Sequence, residues 1–242
     1  MESFIQLFKN DFKNFIKYNI LQIILVLSFL FAAIMAFFPR FDPLIIVYIT
    51  VFIIPVVIFS TSIFIENEEK TLFPLALGKC SSFTIIASKL LSSLILLLIP
   101  YIFYTIVMIF ILNMNYNVFL FALVYILSAV MHITIGIVLA MSSKSTSIMS
   151  ISYVAYIVIF SVMPIFYSEG LIPSFFQYVL IVSPAYLSGI LFQEVIYGYA
   201  FSPVYLVVLA IVLQFVYVFL LTYFVARPYF KSYLLYRITK GE

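Results

Sequence analysis

Six apolar runs, each long enough to cross roughly 30 Å of bilayer hydrocarbon at about 1.5 Å per residue, constrain every other reading of this sequence. They lie at about Asn19 to Phe38, Leu44 to Ile65, Leu90 to Leu112, Val118 to Met141, Ile148 to Tyr167 and Val204 to Ala226. Of 242 residues, 66% are hydrophobic and 9% charged, where soluble domains carry roughly 25% charged residues. So little charge cannot cover so large an apolar fraction, and only lipid solvates the remainder. The connections at 39–43, 113–117 and 142–147 are short and polar, as antiparallel neighbours require. The expected fold is an all-α membrane protein with six transmembrane helices in an up-and-down bundle. It forms a single domain over 1–242, with no internal repeat and no polar stretch long enough to fold alone.

Charge placement predicts orientation. With both termini cytoplasmic, Lys9, Lys13, Lys17, Lys70, Lys79, Lys89, Lys144, Arg227, Lys231, Arg237 and Lys240 fall inside, and only Arg40 falls outside. Counting the apolar stretch Phe175 to Phe192 as a seventh span moves the last four of those outside and sets Pro184, which has no backbone donor, in mid-helix. Leu171 to Gly198 therefore reads as a re-entrant segment of two short helical pieces, broken at Ser183-Pro184. A net charge of +3 gives no support for a nucleic-acid partner. With Trp absent, the 19 Tyr serve as interfacial aromatics, and the single Cys80 forms no intramolecular disulfide.

Residues 1–18 are not a cleavable signal, because charges are interspersed with Phe4, Ile5, Phe8, Phe12, Phe15 and Ile16. Those six fall on one apolar arc, with Lys9, Lys13 and Lys17 beside it. The expectation is an interfacial helix, its phenylalanines in the acyl boundary and its lysines at anionic headgroups. It either anchors the first span or contacts a partner.

The residue set excludes most chemistry. One His, one Cys and no carboxylate within any of the six runs leave no basis for a metal site. Ser128 and His132, one turn apart on the fourth span, are the one candidate nucleophile pair, without turn glycines or a third orienting group. His132 is either a functional intramembrane ionisable group or, the preferred reading, helix-packing glue bonded to a Ser or a backbone carbonyl. Tyr101, Tyr104, Tyr125, Tyr153 and Tyr156 could line a cargo pathway together with Ser128 and His132, although aromatics at helical spacing more often pack. There is no G-x-x-x-x-G-K-[ST] loop, so the chain does not bind ATP by that route and is not expected to be an enzyme by itself.

The loop over 66–82 differs in kind. It holds Glu66, Glu68 and Glu69, three of nine acids, then Lys70 and a helix-capable stretch from Thr71 to Leu77 that Gly78 stops. Leu72, Phe73, Leu75 and Leu77 would be exposed there. Such a face wants a groove in another protein, or else folds back on the membrane.

Ile65 to Leu75, followed by Ser81-Ser82 and Ser88-Lys89-Leu90-Leu91, resembles the permease subunits of ABC exporters of the ABC-2 type. The similarity is nearest to the fluoroquinolone-export permease branch, which is also similar to permeases for amphipathic toxin peptides. Phe8-Lys9-Asn10-Asp11, Ile135 to Ala140 and Ser183-Pro184-Ala185 extend it, whereas Cys80 stands where that family more often has proline or a small turn residue. The resemblance implies a permease in the plasma membrane working as a homodimer. Two copies of a separate ATP-binding subunit would carry ATP and Mg, with Thr71 to Leu77 as the coupling helix. Glu66, Glu68, Glu69, Lys70, Thr71, Leu72, Phe73 and Leu75 would then couple the chain to its ATPase, the glutamates meeting basic residues near the groove or on the amphipathic helix. Cargo would be hydrophobic or amphipathic. The alternative is a stand-alone secondary transporter or membrane scaffold, for which the proline-broken spans at Pro55 and Pro100 lack the expected carboxylates.

Overall fold

The computed structural model describes residues 2–38, 40–69, 81–168, 170–198 and 202–230. All regular elements among them are helices. An amphipathic helix α1 (Glu2–Lys17) precedes the spans α2 (Ile20–Phe37), α3 (Pro43–Glu68), α4 (Ser82–Ile111), α5 (Val118–Ser142) and α6 (Thr146–Tyr167). A bent pair, α7 (Ser174–Leu180) and α8 (Pro184–Tyr197), then leads to the last span, α9 (Val204–Phe230). Six helices are thus long and apolar enough to cross a membrane, and α7 and α8 meet at 112° rather than forming one straight crossing.

Four of the six spans, α3 to α6, start where a side chain takes over an orphan amide. Asp42 accepts from Leu44 N at 2.8 Å with Pro43 in the first helical position, Ser81 accepts from Thr84 N at 3.1 Å, and Asn117 accepts from both Phe119 N and Leu120 N. Ser183 does the same for Tyr186 N at the start of α8 and donates its hydroxyl to the Phe160 carbonyl of α6 at 2.8 Å. The reversal from α1 into α2 uses Asn19 at φ 58°, a left-handed conformation that Asn tolerates better than most side chains.

The centre of the bundle is α3 against α5. At their crossing a Cβ on Gly136 would stand 2.7 Å from the Pro55 carbonyl oxygen, so only glycine permits the approach. Pro55 lies in a π-helical stretch, Ile54–Phe59, that keeps α3 continuous through the missing donor. Pro100 likewise sits inside an uninterrupted helix. The expectation that these prolines break two spans is therefore corrected: the helices re-register around them. Further π-helical stretches occur at Val107–Ile111, Val158–Val162 and Leu221–Ala226.

Two differences from the sequence reading concern charge. α3 runs three residues beyond Ile65, to Glu68, and α4 starts at Ser82 rather than Leu90. Hydropathy ends a span at a charge, but Glu66 and Lys89 neutralise each other and are both buried. The second difference is the face of α1. Its bundle side is centred on Asp11, with Leu7 and Phe15 one turn to either side, all three buried. Ile5 and Ile16, placed by the pattern on the same apolar arc as Phe15, are exposed, together with Lys9, Lys13 and Lys17. Pairing of Asp11 turns the helix away from its most apolar orientation, and α1 packs on the bundle along α4.

A change of Gly136→Ala is expected to lower the melting temperature of the purified chain, at a cost of about 1–3 kcal/mol, because its Cβ meets backbone and not a flexible side chain. Gly189→Ala is the control, since its Cβ would stand 3.5 Å from the Tyr48 ring in ordinary contact. Equal melting of the two variants would show that α3 and α5 do not cross this closely.

Candidate functional site

The base of the bundle, where α1 meets the end of α3 and the start of α4, concentrates the buried charge. Lys89 Nζ lies 2.5 Å from Glu66 Oε2 and 3.1 Å from Asp11 Oδ1. The two remaining carboxylate oxygens are also occupied: Ser88 Oγ donates to Asp11 Oδ2 at 2.6 Å, and Asn14 Nδ2 donates to Glu66 Oε1 at 3.1 Å. Residue exposures of 6% for Asp11, 2% for Glu66 and 4% for Lys89 mean that the groups meet one another instead of water. An ammonium shared by two carboxylates, with every carboxylate oxygen hydrogen-bonded, is the form in which charge tolerates burial.

A second contact repeats the pattern at the surface. Glu69 Oε2 accepts from Lys17 Nζ at 2.5 Å and from the Tyr18 hydroxyl at 2.7 Å. The hydrogen bond from Lys17, and secondly that from Tyr18, hold the Glu69 carboxyl below its usual range. The same bond to Glu69, reinforced by Tyr18, raises Lys17. The sign follows from each group: the Glu69 contribution is lost as pH falls through its lowered value, and the Lys17 contribution as pH rises through its raised one. Both side chains are exposed, so solvent and salt screen the pair.

α1 is therefore tied to α3 through Asn14–Glu66 and Lys17–Glu69, and to α4 through Asp11–Lys89 and Asp11–Ser88. These ties bracket residues 70–80. Of the anticipated coupling residues, Glu66 and Glu69 meet side chains of the amphipathic helix, while Glu68 is exposed. Lys70, Thr71, Leu72, Phe73 and Leu75 lie outside the described residues, as does Cys80. Asp11, Asn14, Ser88 and Lys89 were not anticipated as a site. The one signal for them was an aspartate set between lysines on an amphipathic helix and a Ser-Lys pair at the foot of an apolar run.

The anticipated cargo-pathway residues are packed rather than arranged round a channel. Tyr104 shares a 2.8 Å hydrogen bond with Thr50, and Ser60 donates to the Tyr153 hydroxyl at 2.7 Å. Tyr101 stacks on Phe121 and donates to the Val118 carbonyl, with Tyr125 and Phe192 completing that aromatic cluster. Tyr156 stacks on Phe52, itself stacked on Tyr48, and His132 meets the edge of Phe52 at 5.2 Å. His132 Nδ1 lies 2.8 Å from the Ser128 carbonyl, a contact that requires the proton on Nδ1. Ser128 Oγ is instead directed to Gln214 Oε1 at 3.4 Å. Hydroxyl and imidazole thus do not form a nucleophile–base pair.

Open space lies at the other end of the bundle. A cavity of about 820 Å³ is bounded by the start of α3, the end of α6 and the bent pair, with Asp42, Tyr48, Tyr167, Gln177, Tyr186 and Gln193 among its lining. On the far side of α8 is a second hollow of about 620 Å³, lined in part by Asn115, Tyr116 and Glu194. Of the pathway candidates, none lines either space. Among the described residues no group of three or more His, Cys, Asp or Glu side chains is placed to hold a metal ion.

Compared with protein-family models, with curated proteins and with solved structures, the chain matches none.

Lys89→Met, which strands two buried carboxylates, is expected to destabilise the chain by about 3–5 kcal/mol. Lys17→Met leaves the melting temperature nearly unchanged. The triple change Asp11→Asn, Glu66→Gln and Lys89→Met recovers most of the loss, since no charge is then left unpaired. Thermal melting in detergent separates these outcomes, and a Lys89→Met chain as stable as wild type would mean that the cluster is hydrated.

Proposed function

We propose that the chain is the transmembrane permease subunit of an ATP-driven exporter of the ABC-2 type, carrying a hydrophobic or amphipathic cargo such as a drug, peptide or lipid-like molecule. Two permease chains pair as a homodimer, each seated on a separate ATP-binding subunit that supplies ATP and Mg. The observation that carries this reading is the pair of polar ties that clamps α1 across the ends of α3 and α4. A push on the intervening segment 70–80 would reach α1 and both spans as one body rather than dissipate in a loop. ATP-driven closure of the partner moves that body and biases the bundle between inward-open and outward-open states, provided nucleotide favours the closed partner.

Orientation follows from the charges. Among the described residues, Lys9, Lys13, Lys17, Lys89, Lys144 and Arg227 belong to the α1 end, and Arg40 is the lone basic residue at the other. The positive-inside rule then sets α1 and both termini in the cytoplasm of a cell whose plasma membrane holds the bundle.

The buried pair of carboxylates favours one other reading, a secondary transporter that runs on protons or sodium and needs no ATPase. Co-purification with the ATP-binding subunit encoded beside this chain separates the two. The expected result is a complex whose ATPase activity depends on the permease and which is lost with Leu72→Ser, Phe73→Ser and Leu75→Ser, while membrane insertion is kept. Absence of a complex with the wild-type chain, or substrate uptake by the isolated chain under a proton gradient, would overturn the proposal.

A further inference from the structure

The cavity at the end of the bundle remote from α1 has a lining that defines a ligand class. Its volume, about 820 Å³, falls in the roughly 300–1,000 Å³ range of small-molecule sites. Three tyrosines enter the lining from three elements: Tyr48 from α3, Tyr167 from α6 and Tyr186 from α8. Tyr167 and Tyr186 are set edge to face, with ring centroids 5.9 Å apart and planes at 89°. Tyr48 is held from below by stacking on Phe52 and from the side by Gly189, where no side chain intervenes. Leu44, Ile45, Ile165, Ile190 and prolines make up half of the remaining wall, and Ser174, Gln177, Gln193 and Ser202 add neutral polar groups to it.

Among the described residues, Asp42 is the one charged side chain in that lining. The other charged residues described at this end, Arg40 and Glu194, are not part of it. Asp42 Oδ1 accepts from the Leu44 amide and from the Tyr197 hydroxyl, which fix the carboxylate in place. No described group hydrogen-bonds to Oδ2. A fixed carboxylate beside aromatic faces and aliphatic side chains, with only neutral polar groups (Ser174, Gln177, Gln193, Ser202) besides, attracts a cation whose charge is spread over an apolar body, because ring quadrupole and carboxylate act with the same sign. An anion would find no Lys or Arg among the described lining residues, and the carboxylate would repel it.

We infer that this cavity is a binding site for a lipophilic organic cation, with Asp42 as its counter-ion and Tyr48, Tyr167 and Tyr186 as its aromatic walls. The inference is separate from the export reading, since the chain alone must show the binding. Should the chain prove to need no ATPase, the site stands.

The test uses the purified full-length chain in nanodiscs and two ions of the same size and shape, tetraphenylphosphonium and tetraphenylborate. The wild type is expected to bind the phosphonium saturably and the borate only as bare lipid does. Asp42→Asn keeps the oxygen that caps α3 and receives Tyr197, yet removes the charge, and is expected to weaken phosphonium binding roughly tenfold. Tyr186→Leu is expected to weaken it as well, while Tyr186→Phe retains it. Saturable binding of both ions alike, no binding of either, or phosphonium binding that survives Asp42→Asn overturns the assignment. The comparison of the two ions needs no variant, so a failure of either substitution to fold leaves the test intact.

Discussion

A single ammonium held between two carboxylates fixes where three helices meet. Lys89 reaches Asp11 on α1 and Glu66 on α3 from its own place on α4. Neither acid could be buried without it. The arrangement gives up some stability relative to an apolar core of the same volume, and gains a register: α1 cannot slide or roll along the foot of the bundle without stranding a charge. Apolar contacts alone would set no such limit, since Phe8, Phe12 and Phe15 form a ladder that tolerates rotation and is met from the bundle by Phe59. The cluster thus decides which face of α1 is hidden, and so which residues it leaves to lipid and headgroups.

The six spans were legible in the sequence because lipid enforces them twice, by excluding charge from long runs and by requiring every backbone amide to be satisfied inside a helix. The capping residues at Asp42, Ser81, Asn117 and Ser183 mark starts that the residue order already carries. The break between α7 and α8 was legible from Pro184, and the structure bends there by 112°. Hydropathy went astray at the ends of α3 and α4, where it treats each charge as if it stood alone. Glu66 and Lys89 are separated by 23 residues, and nothing local to either announces the other.

The site was less legible than the fold. Buried tyrosines and His132 stood out because polar groups in apolar runs attract notice; some are engaged by a neighbour one helix or one turn away, such as Thr50 for Tyr104 and the Ser128 carbonyl for His132, whereas the Tyr125 and Tyr156 hydroxyls find no hydrogen-bond partner among the described residues. The cavity, by contrast, is assembled from residues that look ordinary in sequence, a loop aspartate and tyrosines near span ends, brought together from α3, α6 and α8. A space between elements is a tertiary property, and no periodicity within one helix encodes it.

The two ends of the molecule treat charge in opposite ways, and this division bears on how the bundle could work. At the α1 end the acids are closed off by a buried lysine, by Ser88 and by Asn14, so that helix ends are locked together. At the other end Asp42 is pinned by an amide and a hydroxyl, with no cation paired to it among the described residues, and it faces open volume. Between them α3 and α5 are in contact at glycine distance, which resists separation, whereas α9 is the least buried of the spans. A force applied at the locked end would therefore travel along α3, whose first residues, Leu44, Ile45 and Tyr48, are themselves walls of the cavity. One continuous helix, bent from strict α geometry only around Pro55, joins the two ends.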